Sequence, residues 1–194
     1  MKMISPVAVL QDFTPMVESQ METPGIIAAA QDVLMQGLGL LFELNDRTYA
    51  HAAPTPFNSS IGQHYRHVLE HFHSLIKGLP AEEINYDARE RNARLQGEVT
   101  YASIATCDVL RALKLYTQET LARGCRVINS VGYSASQPST FESNASRELA
   151  YCVGHAIHHY AIIRLICHEI GITVPTEFGV APSTLKHMTS LAAD

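Results

Sequence analysis

A chain of 194 residues, 46% apolar and 17% charged, is long enough for one packed domain, short for two, and excludes a disordered chain. Its 19 acidic against 14 basic side chains leave a formal charge of −5, which argues against nucleic acid and anionic membrane as partners. Four cysteines (Cys107, Cys125, Cys152, Cys167) form no CxxC pair and are too sparse for a disulfide-stapled secreted domain, so reduced thiols in a cytoplasm are expected.

The first 22 residues show no clear period and are expected to wrap the surface. MKMISPVAVLQDF, with one lysine and an apolar patch broken by Pro6, is a poor signal peptide. Thr23-Pro24 predicts a helix start, with Thr as N-cap and Pro at the first helical position. From there Ile26, Ile27, Ala30, Val33, Leu34, Leu38, Leu41 and Leu44 form a helical stripe to about Asn45. The segment 51–57, with Pro54 and Pro56, reads as a connection. A second helix follows Asn58-Ser59-Ser60 and runs to about Lys77, where Gly78-Leu79-Pro80 stops it. Residues 81–97 read as a long irregular link. A third helix is predicted from about Thr100 to Leu121, carrying Ile104, Val109, Leu110, Leu113 and Leu115. Turn formers and β-branched residues between Cys125 and Ser143 predict a short two-stranded excursion. The fourth helix is expected from near Ser146 to about Ile170, closed by Gly171. The tail, with Pro175, Gly179 and Pro182, reads as extended, with a last turn near Leu185. The long apolar runs carry Asp, Glu, Arg or His, so none is expected to span a membrane. The pattern predicts a mainly all-α fold: one domain over 1–194, a four-helix bundle with its core at about 24–170 and a short β-hairpin between helices three and four.

Ten histidines stand in this chain, and two groups of them fall on helix faces. On the second helix His64, His67 and His71 share one narrow stripe, while His73 points to the opposite face. On the fourth, His155, His158 and His159 span an arc of about 100° among Tyr151, Val153, Ala156, Ile157, Ile162 and Ile163. An unpaired polar ring in an apolar neighbourhood is costly, and a metal would supply the missing partner. Neutral imidazoles suit zinc, nickel, copper or iron, and three of them with an open position is the layout of a reactive site. A lone histidine is ordinarily a surface or hydrogen-bonded core residue, and His73, His168 and His187 are read so. Competing metal motifs fail. A ferritin-like centre needs two Glu-x-x-His units, and only Glu70-x-x-His73 is present; His-Glu-x-x-His is absent. The cysteines read as small buried apolar residues, with Cys152, one turn before His155, the one placed to join a metal set.

The run Ser60-Ile61-Gly62-Gln63-His64-Tyr65-Arg66-His67-Val68-Leu69-Glu70-His71, followed by His155-Ala156-Ile157-His158-His159, resembles the DinB/YfiT-like superfamily. The resemblance covers about residues 24 to 170. It implies a four-helix bundle that holds a metal with one histidine of the second helix and a His-x-x-x-His pair of the last. Carried over, the ligands are His67, His155 and His159. The divalent ion implied is zinc or nickel in the first instance, with iron also open. The same resemblance implies a metal-dependent hydrolase or thiol-dependent transferase, with an unidentified small-molecule substrate for which a low-molecular-weight thiol is one candidate; a homodimer is left open. His64, His71 and Glu70 are candidates to orient a ligand or act as a base. The rival class is a non-catalytic bundle that binds metal or a small ligand. Neither nucleic acid nor a membrane is expected as partner, since fold and metal alone do not fix a reaction and the charge opposes both.

Overall fold

The computed structural model describes residues 25–55, 58–133 and 137–191; the expectations for residues 1–22 and for the Thr23-Pro24 helix start lie outside them. Four long helices carry the fold: α1 (Gly25–Phe42), α3 (Ile61–Gly78), α5 (Val99–Leu113) and α7 (Ala145–Glu169). Short helices lie between and after them: α2 (Asp46–Ala50), α4 (Ala93–Gly97), α6 (Gln118–Ala122) and α8 (Pro182–Leu191). Each of α1 and α3 packs against both α5 and α7, so the four close into a bundle with α1 and α3 on opposite corners.

The starts of the two histidine-bearing helices are set by side chains. Ser60 Oγ accepts from the Gln63 amide while the Gln63 side chain accepts from the Ser60 amide, a reciprocal cap that fixes where α3 begins. Asn144 accepts from the Arg147 amide and starts α7 one residue before the expected Ser146. Gly171 closes α7 at φ +77°, as its composition implied.

Elsewhere the boundaries differ from the sequence reading. The first helix stops at Phe42, because Asn45 caps the next one by accepting from the Thr48 amide. The third stops at Leu113, because Thr117 Oγ1 accepts from the Thr120 amide and starts α6. Leu115, read as part of that helix, sits in the turn and is 79% exposed, whereas Leu121 of α6 is buried. Residues 81–97 are not an irregular link: they hold the end of a 3₁₀ turn (Leu79–Ala81), the strand β1 (Glu83–Asn85) and α4. The expected hairpin is present as β2 (Gly124–Asn129) antiparallel to β3 (Ser139–Asn144), and β1 adds to it in parallel, giving the order β1-β2-β3. The tail is helical over α8, which buries no residue.

Among the described helices, α1 alone is long and apolar enough by composition to cross a membrane. Its stripe of Ile27, Ala30, Val33, Leu34, Leu38 and Leu41 is instead buried in the core shared with α5 and α7, which is reason enough for an apolar helix.

Candidate metal centre

Helical spacing and the α3–α7 contact together build the site. On α3, His64, His67 and His71 lie one turn apart; on α7, His155 and His159 stand one above the other. Where the two helices pack, the ligand atoms of His67, His155 and His159 all come within 4.8 Å of one another. Their ring centroids are 4.6 to 4.9 Å apart. His155 Nε2 is buried and has no hydrogen-bond partner among the described residues. An orphaned buried nitrogen costs free energy on the order of 1–3 kcal/mol, so its presence calls for a partner outside the chain. A divalent cation is such a partner, and three convergent imidazoles fit one.

Two further histidines buttress the three. His64 Nδ1 lies 2.9 Å from His159 Nδ1, and its Nε2 lies 2.9 Å from Ser59 Oγ. One ring of the His64–His159 pair must donate to the other. His159 then has its Nε2 left free for another partner. His71 is almost fully buried, donates through Nδ1 to the His67 carbonyl at 2.8 Å and stacks on Tyr86. Tyr151 stacks in turn on His155.

The rings are held neutral. Burial, reinforced by the neighbouring histidines and by Arg89 and Arg66, brings His67 down to about 3. Burial and the adjacent histidines bring His159 to about 2. Burial lowers His155 and His71 to about 4, in both cases with a further contribution from Arg89. Lone pairs are therefore available at neutral pH. The same shifts make a prediction for metal-free protein. Above the ordinary value of 6.5 both folded and unfolded chains carry neutral rings; below it the unfolded chain takes up protons that the folded one refuses. Stability is thus complete above about 6.5 and falls progressively below it, through about 4 for His71 and His155 and on to about 3 and 2 for His67 and His159. Thermal melts of chelated protein at pH 7.5 and 5.0, a range above most carboxylate titrations, should show the lower midpoint at 5.0; equal midpoints would contradict buried neutral rings.

The remaining candidates lie elsewhere. His158 is exposed on α7. Glu70, considered as a base, is buried but turned away: it accepts from the Asn92 amide and faces Arg66 and Arg89. His73 lines a cavity on another face of α3. Cys152 is not among the three ligand groups; its Sγ lies 3.8 Å from Tyr86 Oη, and burial pushes its thiol up to about 12, so it behaves as a core residue. Ser59, Tyr86 and Arg89 carry no periodic signal and were not legible as site residues.

The backbone arrangement has a solved counterpart. A DinB-like protein of Bacillus subtilis superposes with a TM-score of 0.59 at 17% identity, over 81% of this chain and 99% of that one. The fold is DinB-like. No protein-family profile matches the chain. A curated relative, FK506-binding protein 5 of Rhizopus delemar, is 37% identical over 105 residues, which is 54% of this chain and 27% of the relative. The chain thus matches about a quarter of that protein's length. A DinB-like bundle with three histidines facing one another across α3 and α7 is compatible with metal binding.

Proposed function

We propose that the chain is a metal-dependent enzyme, a hydrolase or a transferase acting with a low-molecular-weight thiol, in which His67, His155 and His159 hold one divalent transition metal. The convergence of three neutral imidazoles, one with an orphaned buried nitrogen, is the observation that supports this reading. A divalent ion in such a set supplies Lewis acidity at a coordination position left to water or a thiol. The chain's own part is to present the lone pairs and keep them fixed. His64 engages His159 Nδ1 and is itself held by Ser59, so the His159 ring cannot swing. His71 ties its ring to the His67 carbonyl, and Tyr86 and Tyr151 shield the side towards the sheet. Zinc and nickel suit the all-imidazole set, and iron also does; cellular supply decides among them.

Two measurements test the proposal together. Elemental analysis of purified protein should find about one equivalent of a divalent transition metal per chain. Thiol-transfer and ester-hydrolysis assays, run on metal-loaded and chelated protein, should show activity that follows the metal. Protein that stays metal-free after incubation with zinc and nickel would overturn the site. Metal-bound protein that is silent throughout would make it a non-catalytic metal-binding bundle.

A further inference from the structure

A cavity of about 450 Å³ opens between α3 and the segment running from β1 into α5. Ser74 and Lys77 of α3, Ala88 and Arg89 of the link, Leu95 of α4 and Tyr101 of α5 form much of its wall. It is separate from the histidine centre: Glu70, Ser74 and Lys77 lie roughly a quarter-turn round α3 from His64, His67 and His71.

Its charges do not balance. Glu90 is paired with Lys77, and Glu83 with Arg126. That leaves one buried carboxylate, Glu70, facing two guanidinium groups. Arg66 Nε is 3.8 Å and Arg89 Nε 3.7 Å from its oxygens, beyond hydrogen-bond reach in both cases. Both Nε atoms are buried and have no hydrogen-bond partner among the described residues. Arg89 is otherwise anchored only by donation from NH1 to the Tyr86 carbonyl, and Arg66 by donation from NH1 to Gln96. The Arg66–Glu70–Arg89 cluster thus carries one net positive charge, and of its two arginines Arg89 lines the cavity, next to the apolar surfaces of Ala88, Leu95 and Ala105. A guanidinium fork matches a carboxylate in shape and charge, and an apolar pocket with one convergent polar group is the usual form of a small-ligand site.

We infer that this cavity is a second ligand site, distinct from the histidine centre, which takes a small monocarboxylate with an apolar body. The carboxylate pairs with Arg89 and the body lies against Ala88, Leu95 and Ala105. A dianion such as inorganic phosphate fits less well, since a single positive charge is uncompensated and no further free cation lines the wall among the described residues.

Benzoate is a suitable probe, titrated into the intact metal-free chain and followed by amide chemical shifts or calorimetry. Benzamide, of the same shape without the charge, and inorganic phosphate serve as comparison arms. Saturable benzoate binding is expected below about 10 mM, with amide shifts at Ser74, Arg89 and Leu95. Benzamide should bind at least about tenfold more weakly, and Arg89→Gln should weaken benzoate by roughly tenfold to a hundredfold. Ser74→Trp, which fills the half-buried wall and leaves the Arg66–Glu70–Arg89 cluster in place, should abolish binding and decides the matter if Arg89→Gln fails to fold. Absence of saturation, equal binding of benzamide, or phosphate binding in place of benzoate would each overturn the assignment.

Discussion

Alanine at His67, His155 or His159, one at a time, is expected to lower metal affinity by more than about a hundredfold, beyond the tenfold to hundredfold typical of residues that only support a ligand. Each removes one of the three nitrogen donors that converge within 4.8 Å, and two imidazoles on flexible contacts do not replace three. His64→Ala should fall in the supporting range of roughly tenfold to a hundredfold, because it frees His159 Nδ1 without deleting a donor. His158→Ala and His73→Ala should leave affinity unchanged, since one ring is exposed on α7 and the other faces the cavity. Titration with zinc, each variant checked for helicity by circular dichroism, measures all six. Should His158→Ala abolish binding while His159→Ala spares it, the α7 assignment is wrong. Should His67→Ala bind normally, the donor from α3 must be His64 or His71. Folding and binding separate cleanly here: the core of the bundle is apolar and continuous, so chelated protein should keep its helical spectrum, unlike a zinc finger.

What could be read from the sequence follows from the range of each signal. The capping box at Ser60 and Gln63, and the histidine spacings on α3 and α7, are local patterns with a helical period, and each marks its element without knowledge of the rest. The choice among His64, His67 and His71 is not local. They share one face, and only the packing of α7 brings His67 to the pair on α7 while leaving His64 on the far side of His159 and His71 bonded to its own helix. The strand β1 was missed for a related reason. Three residues with one buried member, Ile84, show no alternation, and the strand exists because β2 offers it an edge. Its neighbours Tyr86 and Arg89 inherit their roles from that placement: one shields His71, and the other sets the charge beside Glu70. The third helix was read too long because its apolar spacing continues through Leu115 and Leu121, and the Thr117 cap outweighs that spacing locally. The tail helix α8 buries no residue, and Pro175, Gly179 and Pro182 before and at its start gave the segment the look of an extended tail.

Gly179→Ala is expected to destabilise the protein far more than Gly171→Ala, and the comparison isolates what pins the tail to the bundle. Both glycines have positive φ, +70° at Gly179 and +77° at Gly171, so alanine at either bears the left-handed strain of about 1–2 kcal/mol. At Gly171 an added Cβ meets nothing within 4 Å, and strain is the whole cost. At Gly179 the same atom would lie 2.5 Å from the Ala161 nitrogen and 2.5 Å from the Tyr160 carbonyl carbon. Both are backbone atoms in the interior of α7, which cannot rotate aside as a side chain would. The tail must therefore lift. Phe178, buried and stacked on Tyr160 at 4.9 Å, would lose part of that contact, and the bond from Arg164 to the Thr176 carbonyl would lengthen. Adding about 1–3 kcal/mol of overpacking to the strain gives roughly 2–5 kcal/mol for Gly179→Ala against about 1–2 kcal/mol for Gly171→Ala. For a chain of this length that is a fall in Tm of roughly 4–20 °C against roughly 2–8 °C. Denaturant melts of the two variants beside the parent chain measure the difference directly. Equal losses would mean that the segment around Gly179 moves away from α7 at no cost, and that the Phe178–Tyr160 stack does not hold the tail.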